Sequence, residues 1–293
     1  MDAVLPKIEA ALREATGGTF RITETAAVGG GSIHRTLTVG DGQQRYFVKT
    51  GAAQARTMFE GEADGLAAIA ATGAFRTPAV IALGGDAEHA FLILEHLEMH
   101  TPRSPEEGEA FASALVRLHQ NIGPAFGWER DNHIGATPQH NPRSDNWAGF
   151  FATQRLRPQL ERARQGGHGG ELQQFGARVL ERLPALFLEY RPRPSLLHGD
   201  LWHGNAGITA QGEPVLFDPA CYHGDRESDL AMSELFGGFP GAFYATYRRE
   251  WPLDPGYEAR KPLYNLYHLL NHLNLFGAGY LREATRLAAQ LAR

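Results

Sequence analysis

Apolar residues Leu5, Ile8 and Leu12 recur at helical spacing, so residues 2–15 read as an amphipathic helix. From Phe20 the pattern changes to alternation. The segments FRITETAAV and HRTLTVG flank a glycine run at 29–31, Asp41-Gly42 supplies a turn, and QRYFVKT follows. This predicts a meander of three short antiparallel strands. A helix over 53–70 comes next, then Pro78 and a strand pair, PAVIAL and AFLILEHL, turning at Gly84-Gly85. Residues 1–96 therefore read as one five-stranded sheet with one inserted helix.

After residue 100 the alternation almost vanishes. Ser104-Pro105-Glu106-Glu107 is a helix start, with a capping serine, proline in the first turn and acids at the positive end of the dipole. Phe111, Leu115 and Leu118 give that helix its apolar stripe. Residues 124–146, rich in Gly, Pro, Asn and Asp, read as a long ordered loop. Helices are predicted over 147–164, 170–188, 228–236, 240–250, 257–276 and 280–292. The exception is 195–218, where LLHGD, NAGIT and PVLFDP form short strands around an AQGE turn. A boundary after Leu97 divides a sheet-rich unit, 1–97, from a helical unit, 98–293.

Composition narrows the class. With 28 basic and 33 acidic residues the net charge is −5, without runs of one sign, which excludes the basic footprint of a nucleic-acid binder. No apolar run approaches the roughly 20 residues needed to cross a bilayer, and the N-terminus is too charged for a signal peptide. A single cysteine, Cys221, excludes an internal disulfide framework and suits a reducing cytoplasm. The expectation is a cytoplasmic protein with no membrane and no nucleic-acid partner.

The chemistry concentrates in His198-Gly199-Asp200-Leu201-Trp202-His203-Gly204-Asn205, followed thirteen residues later by Asp218 in Phe217-Asp218-Pro219. Phosphoryl transfer from ATP needs a carboxylate beside the acceptor hydroxyl and oxygen ligands that hold Mg²⁺ on the phosphates. The kinase catalytic loop, H-x-D-x-x-x-x-N, supplies both at fixed spacing. Asp200 and Asn205 have that spacing, and a strand-turn-strand separates Asn205 from Asp218. Asp200 is then the base, and Asn205 and Asp218 hold the metal.

The N-terminal unit is expected to hold the nucleotide. Gly29, Gly30, Gly31 and Ser32 lie in the turn between the first two strands, where backbone N–H groups can approach phosphate oxygens. Lys49, in RYFVKT, resembles the lysine of the kinase V-A-I-K strand, which holds phosphates and needs a glutamate on the next helix. Glu60 and Glu62 are both candidates. Glu62 lies four residues before Leu66 and seven before Ile69, roughly on the sheet-packing face, and is preferred. Glu95, His96 and Leu97 follow an apolar strand and precede the helical unit, the place of a hinge whose backbone contacts adenine.

The segments RTMFEGEADGL, LEHL, HIGATPQHN, PSLLHGDLWHGNAG, PVLFDPACYHGDRESDLAMSELFGGFP and LYNLYHLLNHLNLFG together resemble the fructosamine kinase (ketosamine 3-kinase) family, within the aminoglycoside and choline phosphotransferase superfamily. The resemblance runs from about residue 29 to 280. It implies a two-lobed, protein-kinase-like α+β fold and an ATP- and Mg²⁺-dependent kinase acting on the 3-hydroxyl of a small or protein-bound ketosamine. In that family the products break down and release the amine, a deglycation repair. His203 stands where a small residue such as Ser is expected, and Ser32 where some relatives carry Cys. By the same resemblance Asp229 braces the catalytic loop; His198 is expected to pack beneath it.

Other readings compete locally. Thirteen histidines with Cys221 and His223 invite a zinc site, but no ligand spacing accompanies them. Asp225 is left open between bracing and favouring a helix start. Trp202 and His203 are taken as acceptor contacts. Trp147 and the run Tyr264, Tyr267, His268, Asn271 and His272 are candidate sugar contacts, with the core as the favoured place for the run. At the level of function, an aminoglycoside- or choline-type kinase and a catalytically silent nucleotide-binding regulator remain the alternatives. The sugar, the amine carrier and the oligomeric state are not specified.

Overall fold

The computed structural model describes residues 4–29 and 34–293. Its first layer is a sheet of β1 (Glu24–Ala27), β2 (Arg35–Gly40), β3 (Arg45–Ala52), β4 (Val80–Gly85) and β5 (His89–Glu95), in the order β1-β2-β3-β5-β4. Every neighbouring pair is antiparallel. Helices α1 (Leu5–Thr16) and α2 (Arg56–Ala71) cover opposite faces. In β5, Phe91 and Ile93 pack with Ile8 and Leu12 of α1, while Ala90, Leu92 and Leu94 pack with Phe59 and Leu66 of α2. The same two-residue alternation puts Val48 of β3 on the α1 side and so delivers Lys49 to the α2 side.

The turn between β4 and β5 is displaced from the predicted Gly84-Gly85. Both glycines belong to β4, and the chain reverses at Asp86, whose carboxylate accepts from the amides of Glu88 (2.8 Å) and His89 (2.7 Å). The glycines serve close approach instead. A Cβ on Gly84 would lie 2.5 Å from the Phe91 ring, and one on Gly85 2.2 Å from the His89 carbonyl oxygen.

Beyond Leu97, β6 (Met99–His100) already pairs with β10 (Ala206–Thr209) of the helical part. Helix α3 (Pro105–His119) starts with the expected reciprocal cap between Ser104 and Glu107. The predicted loop 124–146 contains a small hairpin, β7 (Asn132–Ile134) and β8 (Thr137–Gln139). Three of its four buried inward positions, Asn132, Thr137 and Gln139, are polar, with only Ile134 apolar, so hydrophobic alternation gave little sign of it. The predicted helix 147–164 is interrupted: α4 (Trp147–Phe150) passes through a wider turn before α5 (Arg157–Gln165). In that turn Arg155 is fully buried, with its guanidinium 4.1 Å from the Tyr222 ring centre and donating to the His140 carbonyl.

Next come α6 (Glu171–Arg182), β9 (Ser195–Leu197), β11 (Pro214–Leu216) and β12 (Tyr222–Gly224). The last, three residues paired with β9, was not predicted. Helices α7 (Glu227–Leu235), α8 (Gly241–Glu250), α9 (Tyr257–Phe276) and α10 (Leu281–Leu291) complete the chain. One core gathers α3, α7 and α8 under the short strands, and a second gathers α4 to α6 with α9 and α10. The molecule is a two-lobed α+β fold, and no helix among the described residues is long and apolar enough to cross a membrane.

Candidate active site

A cleft of about 850 Å³ runs between the sheet and the helical part, and it is lined by Lys49, Glu62, Asp200, Asn205 and Asp218 together. The loop after β9 presents Asp200. Gly199 adopts φ 83°, and a Cβ there would lie 2.2 Å from the Ala220 carbonyl oxygen, so only glycine fits. The amides of His198 and Gly199 donate to the carboxylate of Asp229 at 2.7 and 2.9 Å. His198 itself is fully buried; its Nε2–H donates to the Phe217 carbonyl (3.0 Å) and its Nδ1 accepts from the Asp200 amide (3.3 Å). One imidazole therefore ties the loop of Asp200 to the strand end of Asp218.

Asn205 donates through Nδ2 to the Asp200 carbonyl (3.0 Å) and carboxylate (3.2 Å), which leaves its Oδ1 as an acceptor in the cleft. Asp218 has φ 56°, the sole positive φ outside glycine among the described residues, and its side chain is 44% exposed. Backbone strain of this kind concentrates where a side chain must be aimed against local preference. Lys49 Nζ lies 2.8 Å from Glu62 and also contacts Asp218. Glu60, the other candidate, pairs instead with Arg56 and Arg130 on the surface.

Small residues bring α2 close enough for this pairing. A Cβ on Gly61 would sit 3.1 Å from Asn132, and one on Gly65 2.9 Å from Pro219, the residue after Asp218. The Trp128 indole N–H donates to Asp64 (2.8 Å), fixing the same helix to the helical lobe. Two carboxyl groups, those of Glu62 and Asp218, thus share one ammonium. Burial opposes the charge on Lys49, but Asp218 and Glu62 outweigh it and raise its affinity for the proton. Asp200 has no such counter-ion. Burial, and then the charge of Asp218, push its carboxyl up to about 7.

The remaining predicted residues divide. Gly29 lines the cleft, whereas Gly30, Gly31 and Ser32 lie outside the described residues. Glu95, His96 and Leu97 line the cleft, but the Glu95 amide donates to Ala79 (2.8 Å) and its carboxylate pairs with Arg76 (2.5 Å). Trp202 lines the cleft. His203, which starts the turn 203–205, is directed behind Trp202 towards Gly237 instead. Trp147 is core, 3% exposed and donating to the Tyr264 hydroxyl, and Tyr264, Tyr267 and His268 are buried with it. Asn271 and His272 of the same run do reach the cleft. Asp225 is buried, accepting from the Tyr190 and Tyr264 hydroxyls, and Cys221 is buried too. Among the described residues no cluster of metal-ligating side chains forms around the histidines.

Sequence reasoning missed the support behind Asp229. His119 donates Nε2–H to it (3.2 Å) and accepts at Nδ1 from the Tyr247 hydroxyl (2.7 Å), which in turn accepts from Arg226 (3.1 Å). Burial opposes the charge on Asp229, but the bonds from His119 and Gly199 hold its carboxyl below the ordinary range. His119 ends a strongly apolar helix stripe and offered no pattern to detect.

Known proteins give this arrangement its family. The chain is 48% identical to a probable ketoamine kinase of Synechocystis sp., over 96% of its own length and 95% of the relative's. It is 38% identical to the chloroplastic protein-ribulosamine 3-kinase of Arabidopsis thaliana, covering 92% of this chain and 82% of that one. A crystal structure of a candidate fructosamine-3-kinase from Haemophilus somnus superposes with a TM-score of 0.90 at 32% identity, over 97% of this chain and 96% of that one. An aminoglycoside phosphotransferase, 17% identical with a TM-score of 0.65, shares the kinase-like fold alone. The family model for fructosamine kinase matches residues 4–293, so this kinase belongs to the fructosamine kinase family.

Proposed function

We propose that the protein transfers the γ-phosphoryl group of ATP to the 3-hydroxyl of a ketosamine, a ribulosyl or fructosyl adduct on lysine, and so starts removal of the sugar. The observation that carries the reading is one cleft lined by the Lys49–Glu62 pair, Asp218, Asn205 and Asp200 together with Trp202. Relatives named for ketoamine and ribulosamine substrates support the acceptor class.

The donor set fits the groups this chemistry requires. Asn205 Oδ1 and the Asp218 carboxylate are hard oxygen donors beside an uncompensated Asp200, an arrangement suited to Mg²⁺. When bound, the cation would neutralise charge on the transferring phosphates. Lys49, held by Glu62, would bind the phosphates, and the backbone of the Glu95–Leu97 segment beyond the Glu95 amide would face adenine. Asn271 would serve the sugar. Its Oδ1 accepts from Gln159 (3.0 Å), and Gln159 Oε1 accepts from Asn274 (2.7 Å), so its Nδ2 hydrogens are left to donate.

Asp200 accepts the proton of the attacking hydroxyl, and a carboxyl poised near 7 is well matched to that task at neutral pH. Phosphorylation at C3 has a consequence of its own. Loss of a C1 proton forms the C1=C2 double bond, the C3–O bond then breaks with its electron pair leaving on phosphate, and water releases the amine from the remaining imine. The single, buried Cys221 accords with a cytoplasmic setting. Purified protein with Mg·ATP and a ribulosyl- or fructosyl-lysine peptide is expected to consume ATP. Mass spectrometry should reveal an added phosphoryl group, then loss of the whole sugar. Stable phosphorylation of an aminoglycoside or of choline, with no turnover of either ketosamine, would overturn the assignment.

A further inference from the structure

The outer end of the cleft is walled by aromatic rings that the phosphoryl-transfer chemistry leaves without a task. Phe236 follows α7, His272 and Phe276 lie on the last turns of α9, and Tyr280 closes the short turn into α10. Ring centres are 4.5 Å apart for Phe236 and His272, 5.2 Å for His272 and Tyr280, and 5.4 Å for His272 and Phe276. Trp202 meets Phe236 edge-on at 6.4 Å, so the wall continues from the residue two beyond Asp200. Phe276 is 44% exposed, a large apolar ring left facing water where it lines the cleft.

Charge is distributed unevenly along the same cleft. Among the described lining residues the charged ones are Lys49, Glu62, Glu95, Asp200 and Asp218, all at the nucleotide and transfer end. The aromatic wall carries none. His272 Nδ1 lies 2.9 Å from the His268 carbonyl oxygen. A carbonyl only accepts, so Nδ1 bears the proton and Nε2 is left as an acceptor. Burial holds this imidazole below its ordinary range, so it stays neutral at pH 7 and does not repel a cation.

Several aromatic faces and a neutral acceptor, with no carboxylate, suit an N–H-bearing cation. A ketosamine offers one beside the sugar: the secondary amine on C1 is protonated at neutral pH, and in a lysine adduct an aliphatic stem follows it. We propose that Phe236, His272, Phe276 and Tyr280 form the subsite for the amine side of the acceptor, with the ammonium on the ring faces and the stem along Phe276. The enzyme then distinguishes ketosamines from neutral ketoses by the charge on nitrogen. This rests on the ketosamine reading above.

The test compares kcat/KM for a ribulosyl-lysine residue in a blocked peptide with that for its neutral isostere, in which an ether oxygen replaces the amine. Wild type is expected to prefer the amine by about tenfold, the scale of a partly desolvated cation–π contact. Phe276→Leu with Tyr280→Leu keeps apolar bulk but removes two π faces. It should bring the preference to within about threefold and leave the KM for ATP unchanged. A purely packing role would lower both acceptors alike. The subsite is overturned if the double variant keeps the wild-type ratio, or if wild type uses amine and ether equally. Turnover of neither acceptor by wild type would instead sink the ketosamine reading and this subsite with it.

Discussion

The two ends of the cleft are built on opposite principles. At the inner end Asp229 collects bonds from two backbone amides and from His119, all buried, and His198 joins the Asp200 loop to the Phe217 carbonyl. At the outer end Phe236, His272, Phe276 and Tyr280 meet through ring edges, and Phe276 is 44% exposed. A buried polar network loses much when one member goes, because its partners are left unpaired away from water. Rings at a partly exposed rim lose only contact area. Rate and stability are therefore coupled at the inner end and separable at the outer one.

Removing the bracing carboxylate is the harshest way to probe that coupling. Asp229→Ala leaves two amides and an imidazole N–H buried without a partner and should cost about 3–5 kcal/mol of stability. Turnover should collapse with it. Denaturant unfolding and initial rates on one preparation would check both, and a variant of native stability would break the coupling.

The lysine pair comes next. Lys49→Met is expected to raise the KM for Mg·ATP and lower kcat, Glu62→Gln to do the same more mildly, and Glu60→Gln to do neither. Steady-state kinetics on the three variants decide it; damage from Glu60→Gln alone would reassign the pair.

Proton linkage gives a smaller, graded effect. Asp200 lies near 7 in the fold against an ordinary 3.8, so the native state binds the extra proton between those values. Its contribution to stability falls as pH rises through that window, while the base form needed for turnover grows. The rate should be lost as pH falls through about 7, or through a lower value once a cation sits on Asp218. A rate flat from pH 5 to 8 would contradict this. Smallest of all, Tyr280→Leu should shift Tm by no more than about 2 °C, since the ring is only partly buried against the core, leucine keeps most of its apolar contact, and it belongs to no buried polar network.

The sequence disclosed the two ends unequally for the same physical reason. That Asp200, Asn205 and Asp218 share one cleft was legible from the spacing of a kinase-type loop, and the Lys49–Glu62 pair from strand and helix periodicities that place the two on facing surfaces. Most elements followed from hydrophobic period, including the Ser104 cap. Periodicity failed where polar residues face inward, as in the hairpin around Gly135, or where a buried Arg155 widens a helical turn. Trp147, expected near sugar, proved to be core because an aromatic ring has the same signature in both places. His119 and Tyr247 belong to helices whose apolar stripes conceal them, and the aromatic wall gathers residues from three separate elements, which no local pattern joins.

The central proposal is that Asp200 is a half-buried base facing the cleft, whose charge the fold tolerates at a cost. Asp200→Asn tests it in one protein, measured for turnover of a ribulosyl-lysine peptide, for Mg·ATP affinity and for Tm. The expected result is a fall in kcat of about 10²–10⁴-fold, little change in Mg·ATP affinity, and a Tm equal to or a few degrees above wild type, since a poorly compensated, largely desolvated charge is gone. Near-normal turnover, or a fall in rate that follows a loss of Tm, would contradict it.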